Sequence, residues 1–131
     1  MTLNSKKIIN LYVPISIGEL IDKVTILEIK EIHLTGDSLK NVQAELNLLR
    51  EILNRGKIEI DNHLFSSLKD VNNKLWDIED NIRVKDKKGE FDNEFINLAQ
   101  SVYRENDQRA LIKRSINLKY NSNLVEEKSY K

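Results

Sequence analysis

Residues 61–89, DNHLFSSLKDVNNKLWDIEDNIRVKDKKG, place Leu64, Leu68, Val71, Leu75, Ile78 and Ile82 at alternating steps of four and three. That rhythm lays one apolar stripe along an α-helix, whose repeat is about 3.6 residues. Asp61 or Asn62 offers an N-cap oxygen and Gly89 a stop, so a helix is predicted over 61–88.

The same steps recur on both sides. Upstream, Leu39, Val42, Leu46, Leu49 and Leu53 form the stripe of a helix over 38–55, capped by Asp37 or Ser38 and ended by Gly56. A first helix over 16–35 opens on Ser16-Ile17-Gly18-Glu19, a capping box, and carries Ile17, Leu20, Ile21, Val24, Leu27 and Leu34 before Gly36. Downstream, a helix over 92–119 carries Phe95, Leu98, Ala99, Val102, Tyr103, Ala110, Ile112 and Ile116. Three-four spacing with short connections favours left-handed, coiled-coil-like packing. The expected fold is all-α, a single domain over 1–131 arranged as an antiparallel up-and-down four-helix bundle.

The ends read differently. Lys7-Ile8-Ile9-Asn10-Leu11-Tyr12-Val13 is β-branched and apolar, and Pro14 stops it, so the arm over 1–15 is expected to hold a short β-strand. Leu124, Val125 and Tyr130 make the arm over 120–131 apolar enough to pair with it, within one chain or across a dimer.

Composition bounds the function. Lys+Arg and Asp+Glu both number 21, and none of the segments 1–36, 37–60, 61–119 and 120–131 carries net charge. A nucleic-acid-binding face is therefore not expected. The cluster Arg83, Lys85, Lys87 and Lys88 sits at a helix C-terminus, where the macrodipole favours cations. With no cysteine there is no disulfide framework and no thiolate chemistry. No apolar run reaches the roughly 18 residues of a membrane span, and MTLNSKKIINLYVP does not read as a signal peptide, so a cytoplasmic protein without membrane partners is expected.

Polar residues interrupt the apolar arcs at about 100° per residue. Glu28 and Glu31 fall in the arc of the first helix, Asn72, Glu79 and Arg83 in that of the third, and Asn106, Arg109, Lys113 and Asn117 in that of the fourth. Glu45 lies at the edge of the second. Neighbouring first and fourth helices would bring these acids and bases together. One reading is a buried ion-pair network that sets helix register. The other is a pocket between helices one, three and four for an anionic metabolite. Arg109, Lys113 and Arg83 with Asn106 would clamp a carboxylate or phosphate, or Glu28, Glu31 and Glu79 would hold Mg²⁺ for a diphosphate.

Other chemistry finds no support. His33 and His63 form no Glu-x-x-His pair, the four glycines stand singly rather than in a phosphate loop, and no nucleophile elbow is present. No resident metal or cofactor is called for.

Four strings carry a family resemblance: VPISIGELIDKVTILEIK at 13–30, LWDIEDNIR at 75–83, VYRENDQRALIKRSIN at 102–117 and LVEEKSY at 124–130. They resemble an uncharacterised family of short, all-helical bacterial proteins, a domain of unknown function. The resemblance implies no activity. It directs attention to Glu19, Asp22 and Lys23, to Glu79 and Arg83, to Asn106, Asp107, Arg109 and Lys113, and to Glu126, Glu127 and Lys128. With no catalytic set, no charged face and two apolar arms, the expected role is a non-catalytic module acting through a protein partner or as a homodimer.

Overall fold

The structure, a computed structural model, describes residues 6–130. It is all-α with bundle-like packing: α1 is Ile17–His33, α2 Gly36–Arg55, α3 Asn62–Lys88 and α4 Asn93–Lys119. Three caps are the ones the sequence signals. Ser16 Oγ accepts from the Glu19 amide (3.1 Å), Asp61 from His63 and Leu64, and Asp92 from Phe95 (3.0 Å). Gly89 closes α3 at φ 66°, its amide donating to Asp86 and that of Glu90 to the Lys85 carbonyl, the paired bonds of a Schellman turn. The first connection differs from expectation. α1 ends at His33, and Gly36 (φ 63°) opens α2, with Thr35 at a cap position that makes no side-chain bond.

α1 is the central element and packs closely on each of the other three helices. It is buried on both flanks. One flank puts Val24 and Leu27 against Val42 and Leu46 of α2; Ile21 meets Leu68 of α3 and Ile116 of α4. The backbone of α2 approaches α1 alone among the helices; contact with the α3 side runs through the side chains of Leu53 on α2 and Phe65 on α3, which pack on both clusters. This differs from a square bundle, in which the second and third helices would pack directly.

α3 and α4 have 27 residues each against 17 in α1. At 1.5 Å per residue, about 40 Å against about 25 Å, the α3–α4 hairpin outruns the core. Its far end leaves Val84, Phe91, Ile96 and Tyr103 exposed.

The expected N-terminal strand is absent: residues 6–15 have no regular structure, and no strand occurs among the described residues. A β-branched run becomes a strand only when a neighbour takes its backbone hydrogen bonds. Among the described residues no backbone–backbone bond involves 6–15. Residues 1–5 of that arm lie outside the described part. The C-terminal arm does dock, but through charges: Glu126, Glu127 and Lys128 pair with Lys113, Arg114 and Asp107.

At the α3–α4 turn, Lys85 Nζ lies 2.8 Å from Asp92, 3.0 Å from Glu94 and 3.3 Å from Glu90. The Lys85 ammonium, with the Phe95 amide, holds the Asp92 carboxyl below its ordinary range. A lowered folded-state pKa supplies stability above the ordinary value near 4, and that stability is lost as pH falls through the lowered one. Asp92→Asn should therefore unfold at lower urea than wild type at neutral pH. The gap between the two midpoints should close on acidification below about pH 4.

Candidate functional site

Among the described residues Asp22 is the only buried carboxylate, at 0% exposure on the flank of α1 that faces α3 and α4. A carboxylate there needs charged and hydrogen-bonding partners. It has both. Arg109 of α4 donates from Nε at 2.9 Å and from Nη2, a side-on fork, and Asn72 of α3 donates from Nδ2 at 2.9 Å. Thr25 Oγ1 accepts from the same Asn72 Nδ2 (2.8 Å) and donates to the Asp22 carbonyl (2.8 Å). One carboxylate thus joins three helices.

Lys113, one turn further along α4, is buried as well. Its Nζ lies 2.6 Å from Glu19, 2.7 Å from Glu126 and 3.9 Å from Asp22. Burial pulls the ammonium down, but the carboxylates of Glu126 and Glu19, with Asp22, outweigh it and hold Lys113 above its ordinary value. Arg109 is likewise raised, by its bond to Asp22 against the cost of desolvation. Both cations stay charged at any physiological pH, so neither is set up as a proton donor or acceptor.

The helices come this close because residue 18 is glycine. A Cβ there would lie 2.5 Å from the Lys113 carbonyl oxygen and 2.9 Å from Asn117 Oδ1. The Gly18 amide instead donates to Asn117 Oδ1 at 2.6 Å. Ser122 Oγ accepts from the Ile17 amide (3.0 Å), so the chain just past α4 caps the start of α1. Asn117 Nδ2 and Trp76 Nε1 are buried without a partner among the described residues.

Of the residues singled out in the sequence, Asn106, Arg109 and Lys113 do come together. The acids expected to meet them do not. Glu28 turns to Arg50 of α2 (3.1 Å) and Lys69 of α3 (2.8 Å). Glu31 is half-buried and makes no ion pair among the described residues. Glu79 and Arg83 are exposed and face each other along α3 at 3.9 Å, Arg83 also reaching Asp80 at 3.6 Å. The Mg²⁺ set Glu28, Glu31 and Glu79 is not assembled: no group of three His, Cys, Asp or Glu side chains suited to a metal occurs among the described residues.

The partners that replace them, Asp22, Glu19 and Glu126, lie in the segments 13–30 and 124–130. The signal for Asp22 is a second flank on α1: Gly18, Asp22, Thr25 and Ile29 fall on one side of the helix, next to the Ile21–Val24 arc, and all four are buried.

The pattern of the family of unknown function DUF6165 matches residues 11–131. The chain belongs to that family. No curated protein and no solved structure matches it. The match takes in all four helices, the charged centre and the C-terminal arm, and it brings no activity with it. No helix among the described residues is long and apolar enough to cross a membrane.

Proposed function

We propose that this chain is a non-catalytic helical assembly module whose charged centre is scaffold and whose N-terminal arm makes the contact. The observation that carries this is the arm itself. Ile8, Ile9, Leu11, Tyr12 and Val13 are between 74% and 89% exposed, five apolar side chains within six positions. Burying each would contribute about 1.5–3 kcal/mol, and an apolar stretch of this size left in water marks a contact surface. The centre, by contrast, has an acid on every base. Arg109 is paired with Asp22, and Lys113 with Glu19 and Glu126.

The partner in this reading is a second copy of the chain, meeting it in the cytoplasm and without nucleic acid. The helices run up and down, each antiparallel to the next. Gly18 meeting Asn117 and Asp22 meeting Arg109 support that order for α1 and α4.

The test is mass by light scattering for the full chain and for Ile9→Asp/Leu11→Asp/Val13→Asp. The wild type should have the mass of two chains, and the variant that of one with unchanged helical circular dichroism. A monomeric wild type would overturn self-association, and a variant that remains dimeric would remove the arm from it.

A further inference from the structure

Beyond the charged centre, on the other side of Arg109, a cleft of about 210 Å³ opens between α1, α3 and α4. Its apolar wall is Ile26, Ile29 and Leu75, and its polar groups come from Lys30, Asn72, Trp76, Glu79, Asn106 and Arg109. We propose that this cleft binds a small carboxylic acid with an apolar body. The inference stands apart from the arm and does not depend on self-association.

Three observations place the carboxylate. A guanidinium has five N–H donors, and Asp22 takes only the side-on edge of Arg109. Nη1 has one distant contact, Asn106 Oδ1 at 3.4 Å, so the end-on edge formed by Nη1 and Nη2 is left for a second carboxylate. The Trp76 indole N–H is buried with no acceptor, and a buried donor without a partner is costly. Lys30 is half-buried at the rim and makes no ion pair among the described residues. Glu79 also borders the cleft and opposes an anion, but it is exposed and already leans toward Arg83.

The apolar body is set by the wall. Ile29 and Leu75 are buried at the back, so a chain of a few carbons gains contact that a bare anion does not. Asp22 fixes the guanidinium in advance, so binding costs little ordering of Arg109.

The only tryptophan of the chain lines this cleft, which makes its single indole N–H resonance a direct reporter. Full-length ¹⁵N-labelled protein would be titrated with 4-methylvalerate, with its uncharged amide and with acetate as comparisons. The indole resonance should shift saturably with 4-methylvalerate at millimolar concentration, and neither the amide nor acetate should reproduce the shift. Lys30→Gln should weaken binding several-fold and Glu79→Gln should tighten it, both with helical circular dichroism unchanged. An indole resonance that does not move overturns the proposal. A response equal for acid and amide, or unaltered by both rim variants, also overturns carboxylate recognition.

Discussion

Arg109→Met should lower the unfolding free energy by about 3–5 kcal/mol, read as a fall in urea midpoint at unchanged slope. The two side chains have similar length, so the change removes the charge and its hydrogen bonds while keeping most of the packing. What it leaves behind decides the size. Asp22 stays fully buried with Asn72 as its one remaining direct donor, and Lys113 stands 3.9 Å away, already engaged by Glu19 and Glu126. An uncompensated interior carboxylate is among the few sources of a single-residue effect this large. The side chain of Arg109 is 28% exposed, which places the expected loss toward the lower end of the range. A stability equal to or above wild type would mean that the charge is kept there for use at the expense of the fold.

Gly18→Ala should be the second large effect. In an ordinary helix the change would stabilise by up to about 1 kcal/mol. Here the new methyl would sit 2.5 Å from the Lys113 carbonyl oxygen, a backbone atom that cannot swing aside. α1 and α4 would have to separate, stretching the bond from the Gly18 amide to Asn117 and the fork between Asp22 and Arg109. Overpacking of this kind costs about 1–3 kcal/mol, and the loss of register adds to it. Gly56→Ala is the matched comparison. Gly56 has right-handed φ (−76°), and its Cβ would meet the flexible end of Ile58 at 3.3 Å and the Ile52 carbonyl oxygen at 3.4 Å, far looser than the 2.5 Å contact at Gly18, so the variant should be close to neutral. Equal urea midpoints for the two variants would contradict the close approach at Gly18.

Much of the fold is legible in residue spacing. The stripes of Leu39 to Leu53 and Leu64 to Ile82, the Ser16–Glu19 box and Gly89 mark helices because each answers to a single local requirement: a face to bury, an amide to cap, or a left-handed turn to make. The charged site was only half legible, for a physical reason. A wheel assigns one buried face to a helix, whereas α1 lies between α2 on one flank and α3 and α4 on the other. Glu28 lies in the obvious arc and meets Arg50 and Lys69; Asp22 lies on the second flank and meets Arg109. A helix as apolar as ISIGELIDKVTILEI around most of its circumference signals burial on more than one side. The arm failed in the opposite way: Ile8 to Val13 has the composition of a strand, but strand formation depends on a partner that local sequence cannot supply.

The claim that the centre is scaffold is tested most directly by a double-mutant cycle on Asp22→Asn and Arg109→Met, measured by urea unfolding. A structural pair should give a double variant less destabilised than the sum of the singles, with a coupling of about 1–3 kcal/mol. Additive losses, within about 0.5 kcal/mol, would contradict it.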